Sequence, residues 1–484
     1  MPPTTRVCFD EMIDEEGGVR AAYQAYCEWF DRQDRGWLLR QGKQAESSFR
    51  RTGITFNVYG DDAGQERLIP FDMIPRIVTN DEWQKLSKGI EQRVRALNAF
   101  LHDLYHKREI VRAGHLPERL LRNNNAFLPQ MAGFTPPGGI YTHIVGVDLV
   151  RTGPDDFMVL EDNARTPSGV SYMLENRETM MAMFPELFNK VRVRPVSDYP
   201  RALARSLAAC APPAAGTGVG ASGGDRPVVA VLTPGIYNSA YFEHAFLADQ
   251  MGAELVEGSD LRVVDGRIAM RTTRGWRAID VLYRRVDDDF LDPLTFNPAS
   301  MLGVAGIMDI YRAGGITIAN APGTGIADDK AIYSFMPEIV EFYTGEKPLL
   351  QNVPTWRCAE ADALGHVLDN LAELVVKEVH GSGGYGMLIG PTATRSELAD
   401  FEKKLRANPE NYIAQPTLAL STVPIFTKAG LAPRHVDLRP FVLVSPDGIK
   451  ITPGGLTRVA LKKGSLVVNS SQGGGTKDSW VLAE

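Results

Sequence analysis

VGVDLVRTGPDDFMVLEDNART, residues 145 to 166, decides the reading of this chain. Two apolar runs flank Gly153-Pro154-Asp155, which is turn chemistry, so the stretch predicts a β-hairpin. Glu161 and Asn163 stand two apart and share one face of an extended strand. A hairpin of this length brings Asp148 beside them. Two carboxylates and an amide oxygen are the donors that a hard divalent ion such as magnesium takes alongside phosphate. By composition alone the same groups, with Asp162, also suit the solvated end of a hairpin.

Working outward, VVKEVHGSGGYGMLIG (375 to 390) places Lys377 on an apolar strand ahead of Gly381, Gly383, Gly384 and Gly386. Backbone N–H groups of such a loop can hold phosphates while the ammonium reaches the same anion. The order of lysine and glycines is the reverse of a Walker A loop, and a Gly-rich turn without ligand fits the composition equally. Lys330, in GIADDKAIYSF, is a candidate second lysine for a nucleotide. Near the C-terminus, Arg439 in HVDLRPFVLV and Arg458 in GGLTRVALKK are placed to offset charge on a transferring phosphoryl group. Asn469, Ser470, Ser471 and Gln472 precede three glycines and could line a substrate or phosphate pocket, although surface arginines and a Gly-rich tail also occur without function. His380 beside the Gly-rich loop can touch phosphate or simply be solvated. Neither a GxSxG elbow nor a Cys–His pair close in sequence supports covalent catalysis.

The rest of the chain reads as scaffold. Residues 81 to 110 carry Trp83, Leu86, Ile90, Val94, Leu97, Leu101 and Leu104 at helical spacing, with Asp81 near the N-cap. APPAAGTGVGASGGDRP (211 to 227) is too rich in Gly, Ala and Pro to pack and predicts a flexible loop. VVAVLT, SAYFEHAFLADQMG, AELVEG and IDVLYRR then alternate strand, helix and strand as a small parallel layer. From 328, DDKAIYSFMPEIVEFY predicts a helix, LAELVVKEV a buried strand, and SELADFEKKLRAN a second helix starting at Ser396. At 484 residues the chain exceeds one core, so two or three subdomains are expected. A net charge of −7 without basic blocks argues against nucleic acid or anionic lipid as partners. Four scattered cysteines offer no zinc or disulfide framework, and neither a membrane span nor a signal peptide is visible, which predicts a cytoplasmic protein.

Together these segments resemble the circularly permuted ATP-grasp proteins, a group that includes the synthetase domain of glutathionylspermidine synthase. The resemblance runs from about residue 65 to the end, through the hairpin, LYRRVDDDFLDPLTF, NAPGTGIADDKAIYSFMP, VVKEVHGSGGYGM and VVNSSQGGGTKDSWV. It implies a mixed α+β and α/β ATP-grasp fold with an added small parallel subdomain. The units expected are an N-terminal segment (1 to 64), a metal-ligand part (65 to 210), the flexible loop (211 to 227), an α/β subdomain (228 to 325) and a part bearing the lysines and Gly-rich loop (326 to 484). The acidic ligands precede the lysines, which is what permutation means. The resemblance further implies a carboxylate–amine ligase that uses ATP and two magnesium ions and passes through an acyl phosphate. A small-molecule or peptide carboxylate and an amine would be its substrates.

By motif match, Asp148, Glu161 and Asn163 would hold metal, while Lys330, Lys377, Gly381, Gly383 and Gly384 would contact the nucleotide. Gln415 in YIAQPTL resembles the hinge strand that reads adenine. Arg458, Lys377 and Arg439 would act in transfer, and Arg165, Ser168, Arg284 and Arg285 would meet substrate. Arg284 and Arg285, with Asp287 and Asp288, read equally as an ion-pair cluster. Glutathionylspermidine synthases carry an arginine two residues before the first metal ligand; here that position is Gly146, with Arg151 and Arg165 the nearest arginines. Kinase-like phosphoryl transfer and nucleotide binding without turnover are the competing readings of the same fold.

Overall fold

A computed structural model describes residues 8–57, 66–122, 124–213, 215–216, 219, 226–236, 238–381, 386–468 and 473–483. Gly383 and Gly384, the run Asn469 to Gln472, and much of the expected loop 211 to 227 lie outside the described residues.

The expected hairpin forms from strands Ile144–Arg151 and Phe157–Asn163, antiparallel, with Gly146 opposite Asn163 and Asp148 opposite Glu161. It sits inside a ten-stranded sheet, where Leu149 pairs Leu438 of strand Gly430–Arg439, which in turn pairs strand Leu456–Val459. Alternation explains the division of its two faces. Val145, Val147 and Leu149 bury against Trp83, Leu86, Ile90 and Val94 of helix Asn80–Tyr105. Gly146 and Asp148 are turned the other way, toward the cleft described below.

That helix starts at Asn80, with Asp81 in its first turn as expected near the N-cap. Thr79 caps it, exchanging hydrogen bonds with Glu82 at 3.3 and 2.8 Å. It also stops at Tyr105 instead of 110, because the Asp103 carboxylate accepts the N–H groups of Glu109 and Ile110 at 2.8 and 3.1 Å and starts a separate short turn. The predicted helix from 328 is likewise broken into Lys330–Tyr333 and Met336–Thr344, with Pro337 opening the second because it cannot donate within a continuous helix. Helix Arg395–Ala407 starts at a Thr394/Glu397 capping box, two residues before the Ser396 expected to begin it.

Two smaller sheets flank the hairpin. Strands Thr317–Ala319, Val281–Arg284, Val229–Leu232 and Glu254–Val256 pair in parallel, as the alternating pattern requires. Strands Trp356–Arg357, Tyr412–Pro416, Leu374–Glu378 and Leu388–Ile389 form an antiparallel sheet over their own apolar cluster. Asn320, directly after the parallel sheet, ties that sheet to the hairpin: its side chain accepts from His143 and Ile144 N–H and donates to the carbonyls of Ile144 and Ala164, at 2.6 to 2.8 Å. At the N-terminal end, buried Glu11 pairs with buried Arg76 at 2.6 Å, so this segment is anchored in the core. No described helix is long and apolar enough to cross a membrane.

Candidate active site

Asp148 is fully buried, and both its oxygens are engaged by arginines. Arg439 grips it bidentately, with Nη2 at 2.8 Å from Oδ2, and Arg458 Nη2 lies 2.6 Å from the same oxygen. Arg458 is held from behind by Asp437, its Nε lying 3.0 Å from each carboxylate oxygen. Strand register explains the cluster: Asp437 and Arg439 share a face of one strand, and Arg458 stands directly opposite Asp437 on the next. Burial works to raise the Asp148 carboxyl, yet the two guanidiniums override it and hold it well below the usual range. For Asp437 burial wins and the carboxyl is raised despite Arg458. Glu161, 3.8 Å from Arg439 and 29% exposed, brings the cluster to three carboxylates against two guanidiniums.

Two cavities meet at this cluster. An apolar slot of about 160 Å³ runs between Val150 and Leu160 of the hairpin and Val375, Met387 and Leu418, with Lys377 and Gln415 in its wall. A wider cleft of about 580 Å³ opens beside it, lined by Asn163, Arg165, Ser168, Asp328, His380 and Arg439 among others. Glu161, Lys330, Gly381 and Arg458 line both. Lys330 Nζ donates to the Gly381 carbonyl, and Gln415 Nε2 to Thr355 Oγ1 at 3.1 Å.

The Lys377 ammonium has no hydrogen bond or ion pair among the described residues; burial, with the Lys330 charge adding, lowers it to about 8 against the pull of Glu161. Such a depressed ammonium destabilises the fold while charged and ceases to do so as pH rises from the folded value toward 10.5. Between pH 8 and 10 the wild type should therefore gain thermal stability relative to Lys377→Met, a trend that paired melting curves would register. A constant difference would mean that Lys377 titrates normally.

The structure sorts the remaining sequence candidates. Arg165 reaches the cleft and pairs with Asp287 at 3.3 Å and Asp328 at 3.9 Å. Arg284 stands apart from it, fully buried and bound to the carbonyls of Asn320, Val286 and Ala321. Arg285 is also buried and holds the loop before helix Val170–Met183, donating to Pro167 O at 2.7 Å and to Ser168 Oγ at 2.5 Å. Arg151 is spent on Glu82 and the turn carbonyls Gly153 and Pro154. Over Gly146 lies Arg439 instead: a Cβ there would sit 3.3 Å from Arg439 Cδ. Asp162 is no solvated end group, since Arg93 binds both its oxygens at 2.7 and 2.6 Å.

Sequence reasoning passed over Asp437 and Asp328. The two-residue spacing of Asp437 and Arg439 on one strand was a usable signal for the first. The second has none: burial raises Asp328 to about 7, partly opposed by Arg165 and by the hydrogen bond from Ala164 N–H, and both neighbours are remote in sequence. Gly169, at the start of helix Val170–Met183, has φ +115° and donates to Glu243 Oε2 at 2.7 Å. Gly169→Ala is expected to cost about 1–3 kcal/mol from that backbone alone, read as a lower urea midpoint.

An oxygen-donor test for magnesium divides the hairpin. Glu161 and Asn163 face the cleft beside a cluster with one excess negative charge, which suits a hard cation. Asp148 is less available: Arg439 and Arg458 occupy it, and Asn163 Nδ2 lies 3.3 Å from its Oδ1. Among the described residues no three His, Cys, Asp or Glu side chains converge as a metal centre.

Residues 75–460 match the profile described as circularly permuted ATP-grasp type 2. An uncharacterised Synechocystis protein is 51% identical over 474 residues, covering 98% of this chain and 97% of the relative. A Frankia alni protein carried under a provisional glutamate–cysteine ligase name is 43% identical over 476 residues, and the match spans 98% of this chain but 54% of that one. The solved structure of a glutathione synthetase-like effector from Globodera pallida superposes with a TM-score of 0.56 at 12% identity, covering 93% of this chain and 98% of the other, which is a likeness of fold.

Proposed function

The chain belongs to the circularly permuted ATP-grasp type 2 family, and from that premise we propose that it is an ATP-dependent ligase joining a carboxylate to an amine through an acyl phosphate. The observation that carries this reading is the shared wall: Glu161, Lys330, Gly381 and Arg458 stand where an adenine-sized apolar slot opens into a cleft wide enough for two further substrates. A nucleotide lying in the slot would present its terminal phosphate at that wall. The ligase name of the Frankia relative points the same way.

In this reading Lys377 and Lys330 bind phosphate oxygens, and the buried ammonium of Lys377 exchanges its unfavourable isolation for a phosphate partner. Glu161 and Asn163 would hold magnesium, which when bound neutralises phosphate charge; Asp148 could join them only by giving up an arginine. Asp148 and Asp437 fix Arg458 between them, so its guanidinium meets the transferring group without reorganising. Arg439, running over Gly146, stands in for the arginine that glutathionylspermidine synthases carry at that position, and with Arg165 and Ser168 it would receive the substrate carboxylate. Arg284 and Arg285 act behind this surface as supports for the cleft walls.

The test is mass spectrometry of ATP, magnesium and a pool of amino acids, short peptides, glutathione and polyamines incubated with wild type and Glu161→Ala. Amide product and ADP in equal amounts, abolished in the variant, is the expected result. ADP with a phosphorylated product independent of any amine would replace ligation by simple phosphoryl transfer. ATP binding without turnover across the pool would leave only a nucleotide-binding role.

A further inference from the structure

His380 stands next to the Gly-rich loop, and the sequence gives it no companion. In the fold it has one: His380 Nδ1 lies 3.0 Å from Asp329 Oδ2, with Asp329 only 2% exposed and the imidazole 53% exposed in the wide cleft. Asp329 is itself immobilised. Its Oδ1 accepts the N–H groups of Ala331 and Ile332 at 2.8 and 3.0 Å, and Asn124 Nδ2 donates to Oδ2 at 2.8 Å. A carboxylate fixed in this way accepts a hydrogen bond from the ring Nδ1–H, which leaves the Nε2 lone pair as the free acceptor. The next residue on each side completes the arrangement, because Lys330 follows Asp329, Gly381 follows His380, and the two are hydrogen-bonded. The dyad therefore stands at the boundary between the phosphate wall and the cleft.

On the ligase reading above, we propose that His380, oriented by Asp329, is the base that accepts the proton of the attacking amine. In that step the amine lone pair forms the C–N bond to the acyl carbon, the C–O bond to phosphate breaks with its electron pair leaving on phosphate, and the nitrogen's proton passes to His380 Nε2. The hydrogen bond that His380 donates to Asp329 raises the imidazole above its ordinary value, with burial and the Lys330 charge opposing. Besides Asp329 and Lys330, the charged groups in the cleft lining are Glu161, Asp162, Asp287, Asp288, Asp289 and Asp328 with Arg165, Arg439 and Arg458. Amide formation should accordingly climb with pH as the imidazole loses its proton and level off above that point.

Hydroxylamine separates this role from phosphate binding, since it is largely uncharged at neutral pH and traps an acyl phosphate without a base. Wild type, His380→Gln and Asp329→Asn would be assayed with ATP, magnesium and the same carboxylate pool, with hydroxylamine or the polyamine and amino-acid pool as nucleophile. For His380→Gln the expected result is hydroxamate formation within about twofold of wild type, amide formation down about 10²-fold, and loss of the acid limb of the amide pH profile. Asp329→Asn should reduce amide formation less and shift that limb to lower pH. Parallel loss of hydroxamate and amide in His380→Gln would overturn the proposal in favour of a phosphate contact, and an unchanged amide rate would overturn it outright. No hydroxamate from wild type would sink the ligase reading itself, together with the base.

Discussion

Arg458→Ala is expected to cost about 3–5 kcal/mol of folding stability, the loss typical when one partner of a buried ion pair is removed. The size follows from what remains. Asp148 and Asp437 are both buried, and both face the guanidinium that would be gone. Arg439 can still neutralise Asp148, but among the described residues its carboxylate contacts are Asp148 and Glu161, so Asp437 would keep just the longer-range charge of Arg439. A urea midpoint well below wild type at an unchanged slope would show this. A second variant, Asp437→Asn with Arg458→Met, should recover part of the loss because it removes the stranded charge together with its partner. An unchanged midpoint in Arg458→Ala would mean that water reaches the pair and solvates it.

Lys377→Met is expected to separate activity from stability. Losing a preorganised charge at a phosphate typically costs about 10²–10³-fold in turnover, so ADP formation should fall by that amount. The fold should not suffer, because the ammonium is already unfavourable where it stands: burial has lowered it to about 8, and methionine fills the same apolar wall between Val375 and Met387. A melting temperature at or above wild type at pH 7 is the expected companion result. A destabilised Lys377→Met would place the side chain in the structural framework, against its position in the slot.

What was legible in the sequence is what local chemistry writes. The hairpin, the small parallel sheet and the lysine strand follow from turn residues and apolar periodicity, and Glu161 with Asn163 follows from a two-residue spacing. Helix limits were displaced wherever a side chain reached back to the backbone, as Thr79 and Asp103 do. The arginines show the deeper limit. Arg165, Arg284 and Arg285 look alike in sequence, yet one meets the cleft and two hold carbonyls beneath it, because their surroundings are set by segments more than a hundred residues away in places. His380 and Asp329 are 51 residues apart, and no periodicity links a loop histidine to a helix-capping carboxylate.

The pairing of Asp148 with Arg439 and Arg458 also bears on how the chain assembles. Its hydrogen-bonded arginines are made 291 and 310 residues after it, so during synthesis the hairpin is complete long before either guanidinium can meet its central carboxylate. Until then, burying that strand would mean burying a bare charge, which the low-dielectric interior opposes. The ten-stranded sheet is therefore bound to close late, when its C-terminal strands arrive, and such long-range pairing is slow. A chain released before Leu456 would carry the acidic hairpin with a frayed, sticky edge, because strand Leu456–Val459 and the Arg458 partner would be missing.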